Sequence, residues 1–370
     1  MGEIYMMLEA EYNIILELSR VTGEINANII KSQLEKGVDW EKIVRVATKN
    51  KVLSLVYHNL KRLNLADFVP RHYTILLEDN FSCNYMRNEN KLLELQKIQK
   101  IAIQKKVAFA PVKGGYLIDN VYSNRRIRIT NDIDVLIRRS DIKKIDDIMK
   151  ECGYEYGEYD PQNNKVVSPD RNKLMLYKMK MYDLLPYIKL NADIIDKKVM
   201  FDFSFALDFS LDTRPVDEML DMAEITEQTM VLQPEHFLIH MCCHHYREAS
   251  NVAWILLGKD LNLIKFCDVR EYILQKMDSY SISQAIKFAK KYKLEKAMYF
   301  TIYFVREIYH DGYETSILNS LDIEDEAFLY QFGEKDYEEL QTRKKDFWTS
   351  LFSMENTDEI VNDPKYKKLI

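Results

Sequence analysis

The chain has 370 residues, of which 47% are hydrophobic, and its formal net charge is -6. This length corresponds to two or three domains with substantial cores, at about 100–200 residues per domain. The acidic balance gives no support to a general polyanion-binding protein, because such proteins need many cationic contacts to phosphate, and it leaves room only for a local basic groove.

Residues 1–106 are predicted to form an N-terminal helical region. The chain has only 10 glycines and 8 prolines, which favours helices over a loop-rich all-β protein. Asp39 is a suitable N-cap for one helix, Val52–Leu63 is predicted as a second, and Pro70 opens a long third one. The third helix has an apolar stripe at helical spacing, formed by Leu92, Leu95, Ile98 and Ala102.

The periodicity changes at residue 107. The apolar run Val107–Val112 predicts a short buried strand that ends in a tight turn, Lys113-Gly114-Gly115. A short helix is predicted at Tyr116–Tyr122, a second strand at Ile133–Ile137 and an amphipathic helix at Asp141–Cys152. This order of strand, turn, helix, strand and helix indicates an α/β core.

Residues 154–212 alternate with a period of two and are rich in aromatic side chains, which predicts further strands of the same sheet. Two such strands are predicted at Lys173–Lys180 and Lys198–Leu207. Helices return after residue 212, and Pro234 suits the first turn of one of them. We therefore predict an α+β fold with a small mixed sheet of about four to six strands. Its domains would be a helical region at 1–106, a core at 107–212 and a helical C-terminal domain at 213–370.

A pair of acidic residues carries the clearest chemical signal. Residues two apart on a strand point the same way, so Asp132 and Asp134 project from one face of the predicted sheet. Two neighbouring carboxylates repel each other and suit a divalent cation such as Mg²⁺, which takes one or two carboxylates together with substrate phosphates. Asp202 interrupts an apolar strand on the side opposite its Phe residues and is the favoured third carboxylate. The alternatives are Asp193, Asp196 and Asp208.

Groups that suit phosphate lie close to this pair in sequence. The Gly114-Gly115 turn has no side chains, so that backbone N–H groups at the start of the following helix can face phosphate oxygens. Arg128 offers a planar cationic fork, and Lys113 adds a second positive charge. Three carboxylates and two metal ions would activate an attacking oxygen and stabilise a leaving pyrophosphate.

Each of these features alone has an ordinary structural explanation. An Asp-x-Asp on a strand is common, Lys-Gly-Gly is usually only a turn, and an Arg near an Asp is usually a surface ion pair. The specific signal is the combination: a strand, a Gly-Gly turn, a short helix, and then Arg128 four residues ahead of Asp132 on the approach to the next strand.

The Gly-Gly turn followed by Asp-Ile-Asp-Val-Leu-Ile resembles the signature of the polymerase β-like nucleotidyltransferase superfamily. More narrowly, the chain resembles the uncharacterised NTP-transferase type 5 family, over roughly residues 35–250. That family has a Lys-Gly turn, then an Arg four residues ahead of an Asp-hydrophobic-Asp run, and later a strand with an acid, a hydrophobic residue and a His. Asp202-Phe203-Ser204 is similar to that strand, with Ser204 at the position of the His.

The resemblance implies Mg²⁺-dependent transfer of a nucleotidyl group from an NTP, with Asp132, Asp134 and Asp202 as metal ligands and two Mg²⁺ ions. It also implies that Lys113, Gly114, Gly115 and Arg128 bind the nucleotide. The superfamily's usual Gly-Ser turn is Gly114-Gly115 here, so a phosphate-binding hydroxyl is missing. The resemblance does not identify the acceptor.

Three functions remain open at this point. The favoured one is an enzyme that transfers NMP to a hydroxyl or phosphate of a small-molecule or peptide acceptor. The second is a toxin-like transferase that modifies a protein or tRNA, and the third is a degenerate scaffold that binds a nucleotide or a partner without turnover. A nucleotide-site role for His240 and His244, spaced i and i+4, is a minor alternative to core packing.

The odd number of cysteines, five, and the absence of a Cys-x-x-Cys pair argue against a disulfide framework and favour a reducing compartment. The N-terminus lacks the basic flank and apolar run of a signal peptide. No stretch approaches the roughly 18 apolar residues of a membrane span. We therefore expect a cytoplasmic protein with no membrane contact.

Overall fold

The computed structural model describes residues 8–171, 174–175, 182–191, 195–226, 228–333 and 340–354. The chain divides into two compact units, one formed by residues 82–240 and the other by residues 1–81 together with 241–370. The division into 1–106, 107–212 and 213–370 stays a prediction.

The helices of the described residues are, in chain order, α1 Ala10–Glu17, α2 Ala27–Glu35, α3 Trp40–Lys49, α4 Leu53–Arg62, α5 Arg71–Gln104, α6 Gly114–Asn120, α7 Ile142–Glu151, α8 Arg214–Asp221, α9 Pro234–Ala249, α10 Val252–Leu256, α11 Leu263–Lys276, α12 Ser279–Tyr292, α13 Glu295–Tyr309, α14 Glu314–Leu321 and α15 Phe347–Phe352. None of them is both long and apolar enough to cross a membrane.

The strands are short, as in a small sheet flanked by helices. They are β1 Ala110–Pro111, β2 Ile133–Leu136, β3 Glu155–Tyr156, β4 Glu158–Asp160, β5 Lys165–Val167, β6 Tyr187–Leu190, β7 Lys198–Ser204, β8 Glu224–Ile225, β9 Met230–Val231, β10 Gln331–Phe332 and β11 Gln341–Thr342. The predicted α+β class is therefore confirmed.

Local signals in the sequence explain where several helices begin. The Asp39 side chain accepts a hydrogen bond from the backbone N–H of Lys42 at 3.0 Å, so it caps α3 as predicted. Helix α5 starts directly after Pro70, and α9 starts at Pro234, where the missing N–H costs nothing.

In the unit formed by residues 1–81 and 241–370, helices pack on helices. Helix α13 packs against α11 and α14. The buried Arg270 of α11 donates to the carboxylate of Asp311, ahead of α14, at 2.5 and 2.9 Å. This charge-assisted pair fixes the loop that precedes α14.

The unit formed by residues 82–240 contains a mixed five-stranded sheet in the order β1-β2-β7-β6-β3. Strands β2 and β7 are parallel, and the other neighbours are antiparallel. The predicted apolar stripe of α5 packs into the core below this sheet, together with Ile145 and Ile148 of α7 and with Phe201 and Phe203 of β7. One face of the sheet is thus closed by apolar packing, and polar side chains of β2 and β7 belong to the other face.

One predicted strand lies mostly outside the described residues. Of the segment Lys173–Lys180, only Leu174 and Met175 are described, and their backbone is helical. The Leu174 N–H donates to the carbonyl of Asp170 at 3.0 Å, which is a helical turn, so the strand prediction is wrong at these two residues. A two-residue alternation over a short segment does not by itself distinguish a strand from a helical turn.

Candidate active site

The register of the sheet places two of the predicted acidic residues side by side. Asp134 of β2 and Asp202 of β7 are direct partners in the parallel pairing. Asp132 lies two residues before Asp134, just ahead of β2. Since Ile133 and Phe201 point into the core, all three aspartates belong to the opposite face of the sheet.

The negative charges of Asp132 and Asp134 act on the carboxyl of Asp202. Burial raises the pKa of the Asp202 carboxyl well above its usual range, and the charges of Asp132 and then Asp134 raise it further. The ammonium of Lys113 opposes this rise. Such a group favours a bound cation, because a cation would stabilise the ionised carboxylates.

Lys113 supplies a cation to the cluster. It directly precedes α6, and its Nζ lies 2.5 Å from Asp134 Oδ1. Its backbone has φ 48° and ψ -128°, a conformation that costs a residue with a Cβ some free energy. Neighbouring hydrogen bonds hold this conformation: the Val112 N–H donates to the Asp134 carbonyl at 3.0 Å, and the Leu117 N–H donates to the Lys113 carbonyl at 2.8 Å.

The two glycines of the turn have different surroundings. A Cβ on Gly114 would lie 2.5 Å from both Arg128 Nη1 and Thr130 Oγ1, which is closer than real Cβ contacts. A Cβ on Gly115 would meet Leu95, Pro111 and Ile133 at ordinary distances of 3.4 to 3.6 Å. Glycine is therefore required for space at position 114 and not at position 115.

Arg128 is buried next to this turn, with 7% of its surface exposed. Its Nη1 donates to Thr130 Oγ1 at 2.8 Å. The fully buried Asn88 of α5 donates to the carbonyls of Arg125 and Arg128 at 2.6 and 2.8 Å, so α5 fixes the loop that carries Arg128. The predicted phosphate-binding residues Lys113, Gly114 and Arg128 thus lie together beside the aspartates.

Asp202 has different contacts from Asp196 and Asp208, the two described alternatives for the third carboxylate. Asp196 is buried in an ion pair with Lys91, whose Nζ lies 3.4 Å from its Oδ1, and it also accepts from Asn90 at 2.9 Å. Asp208 caps its own turn by accepting from the Ser210 N–H at 2.9 Å. Asp193 lies outside the described residues. Of the alternatives that are described, neither is paired in the sheet with Asp134.

Two charged residues beside the three aspartates, Asp183 and Lys198, were not predicted from the sequence. Asp183 forms a β-bridge with Ser204 and lies close enough to Asp202 to raise its pKa. Lys198 opens β7 on the same face as Asp202, and its Nζ lies 4.1 Å from the centre of the Tyr159 ring. Burial lowers the pKa of Lys198, while the charges of Asp132 and Asp202 oppose that shift. Period-two spacing from Asp202 points to Lys198, but no sequence signal marks Asp183.

The histidines of α9 have packing and ion-pair contacts within the helical part of the chain. His240 is buried, and His244 Nε2 lies 3.2 Å from Oε1 of Glu248, whose Oε2 pairs with Lys265. Arg247 Nη2 and His244 Nδ1 are 3.2 Å apart. These contacts fit helix packing and an internal ion-pair network.

The donor groups fit a metal ion that arrives with phosphate. Within the described ranges, no three His, Cys, Asp or Glu side chains are arranged to hold a metal ion by themselves. Mg²⁺ needs only one or two protein carboxylates when a triphosphate completes its coordination, and Asp134 and Asp202 are paired in register. The donor set would thus suit such an ion, with phosphate oxygens as its remaining ligands.

The family comparison agrees with these motifs. The family model described as an uncharacterised nucleotidyltransferase, NTP-transferase type 5, matches residues 36–310, which is well over half of the chain. The match includes the turn, both strands of the aspartate pair and the helices beside them, and it confirms the resemblance inferred from the sequence. A comparison with curated proteins finds no match.

Proposed function

The chain belongs to the uncharacterised nucleotidyltransferase family, and on that premise we propose that it transfers NMP from an NTP in a Mg²⁺-dependent reaction. The acceptor is a hydroxyl or phosphate group of a small molecule or peptide. The observation that carries this proposal is the parallel pairing of Asp134 with Asp202, with Asp132 two residues away.

The carboxylates supply the ligands for the metal that the reaction needs. Asp134 and Asp202 lie on adjacent strands, and Asp132 lies just ahead of β2. Two Mg²⁺ ions bound there with the triphosphate would neutralise charge on the attacking and leaving oxygens. The unfavourable proximity of three carboxylates supports a cation-binding role, since a purely structural position gains nothing from it.

Lys113 and Arg128 bind the triphosphate in this proposal. Arg128 presents a buried guanidinium whose position is fixed by Thr130, and a fixed fork matches phosphate oxygens better than a mobile one. Gly114 leaves the space that brings the turn against Arg128. The nucleotide phosphates therefore lie over the turn, next to the aspartates.

The transfer itself is a displacement at the α-phosphorus. The acceptor oxygen bonds to this phosphorus while the bond to the bridging oxygen of pyrophosphate breaks, and a hydroxyl acceptor releases its proton to solvent water. Lys113 and Arg128 then hold the negative charge of the departing pyrophosphate. Positioning and charge stabilisation account for the catalysis, because the protein forms no covalent bond in this reaction.

The net charge of the chain indicates which class of acceptor is favoured. A net charge of -6 disfavours long polyanionic acceptors, which gain affinity from many cationic contacts. A small-molecule or peptide acceptor needs only a local site. For this reason we place a small molecule or peptide ahead of tRNA as the acceptor.

The proposal is tested by calorimetric titration of ATP, CTP, GTP and UTP with Mg²⁺. We expect at least one NTP to bind wild-type protein and to lose its Mg²⁺-dependent affinity in the double variant Asp132→Asn, Asp134→Asn. The matched control is Asp208→Asn, which removes an acid that only caps a turn. The NTP that binds then serves as donor in an acceptor screen that follows pyrophosphate release.

Two outcomes contradict the proposal. One is the absence of binding by all four NTPs, which favours a degenerate scaffold. The other is equal binding by wild-type protein and by the folded double variant, which removes the aspartates from the nucleotide site.

A further inference from the structure

The ion pair between Lys113 and Asp134 occupies the position where the proposed metal would bind. The Lys113 Nζ to Asp134 Oδ1 distance is 2.5 Å, and the side chains are 21% and 16% exposed. Asp134 is also the partner of Asp202 across the sheet. A divalent cation that binds Asp134 therefore competes with an ammonium that is tethered to the same site.

The backbone places Lys113 beside Asp134. Lys113 adopts φ 48°, in the region that glycine tolerates and lysine adopts at a cost. Asp134 is itself bonded to the turn, since its carbonyl accepts from the Val112 N–H at 3.0 Å. The backbone therefore fixes the position from which the Lys113 side chain reaches the Asp134 carboxylate.

We infer that Lys113 is an internal counter-ion that occupies the cation position on Asp134 until the metal–nucleotide complex arrives and then moves to the triphosphate. The inference rests on the proposed function. Free metal alone has to displace the lysine without offering it another partner, whereas the metal–nucleotide complex brings both a cation for Asp134 and phosphates for Lys113. Metal binding consequently depends on nucleotide.

The chain offers a matched control for this exchange. Lys189 of β6 pairs with Glu94 at 2.9 Å, and these side chains are 27% and 19% exposed. The two lysine–carboxylate pairs are alike in distance and exposure, and both lie in the unit of residues 82–240. Only the pair of Lys113 includes a carboxylate of the aspartate cluster.

The test is a Mn²⁺ titration followed by electron paramagnetic resonance, without nucleotide, on wild type and on Lys113→Met, Lys113→Arg and Lys189→Met. Removing the competing charge-assisted bond should tighten Mn²⁺ binding by about tenfold or more in Lys113→Met. Lys113→Arg, which keeps the charge, and Lys189→Met should bind Mn²⁺ as weakly as wild type. Lys113→Gly, which suits the backbone conformation, repeats the measurement if the Met variant does not fold.

The inference is overturned if folded Lys113→Met or Lys113→Gly binds Mn²⁺ no more tightly than wild type. A second titration of wild type uses Mn²⁺ together with the NTP that binds, against a protein-free Mn²⁺–NTP blank, and should show protein-bound metal at concentrations where Mn²⁺ alone does not bind. If the Lys113 variants bind Mn²⁺ more tightly but no NTP binds wild type, the counter-ion role stands and the proposed function fails. The two titrations therefore distinguish a failure of the counter-ion role from a failure of the proposed function.

Discussion

Asp134 and Asp202 are direct partners in the parallel pairing of β2 and β7. They are 68 residues apart in the chain (202 minus 134), and the two strands of this sheet that lie between them in sequence, β3 and β6, are on the far side of β7. The pairing brings two carboxylates onto one face, beside Asp132 and against Lys113. The predictions below follow from this arrangement and from its surroundings.

Replacing Asp202 by Asn should stabilise the protein while removing metal-dependent nucleotide binding. The variant removes a carboxylate whose charged form is disfavoured by burial and by the charges of Asp132 and Asp134, and relief of such a cost contributes roughly 0.5–2 kcal/mol. At neutral pH, without metal, the Tm should rise by about 2–4 °C for each kcal/mol. Scanning calorimetry measures this, and a lower Tm for the variant would contradict the repulsion.

Asp196→Asn should destabilise the protein and leave metal-dependent nucleotide binding in place. It leaves the ammonium of Lys91, which is 3% exposed, without its counter-ion, and breaking a buried pair from one side costs about 3–5 kcal/mol. We expect a large fall in Tm and, below that Tm, Mg²⁺-dependent NTP binding that is still present. Asp208→Asn is the control and should change stability by less than about 0.5 kcal/mol. Loss of NTP binding in folded Asp196→Asn would make Asp196 the third site carboxylate instead.

Gly114→Ala and Gly115→Ala form a matched pair in the turn. At position 114 the added Cβ displaces Arg128 and Thr130, which should cost about 1–3 kcal/mol of stability. It should also weaken NTP binding by about tenfold or more, the contribution of one charge-assisted hydrogen bond. Gly115→Ala should leave both properties near wild type. Thermal melts and calorimetric titration test this, and equal effects of the two variants would remove Arg128 from the nucleotide site.

Protonation of His58 should lower the free energy of unfolding as the pH falls below about 6.5. Burial lowers the pKa of this imidazole below its usual value, and the nearby charges of Arg62 and Lys61 lower it further. As the pH falls, the unfolded chain takes up the proton first, near its ordinary pKa of about 6.5, so stability is lost from there down to the folded pKa. His58→Gln should lose less Tm than wild type between pH 7.5 and 5.5. The same Tm difference between the two proteins at both pH values would contradict this.

Several features were determined by the sequence itself. The alternation of Asp134 with the apolar Ile133 and Val135 predicted the strand β2 with one apolar face, and Asp132 lies directly ahead of that strand. The Asp39 cap and the start of α5 after Pro70 are equally local. Such features depend on neighbouring residues only, and they were predicted correctly.

Other features were decided only by the tertiary structure. The pairing of Asp202 with Asp134 depends on strand register, the ion pair of Asp196 depends on Lys91 of α5, and the presence of Asp183 and Lys198 beside Asp202 depends on the folding of the sheet. These contacts join residues far apart in the chain, whose distances no local periodicity fixes. The same holds for Gly114, which needs to be glycine because Arg128 and Thr130 pack against it, while its neighbour Gly115 does not.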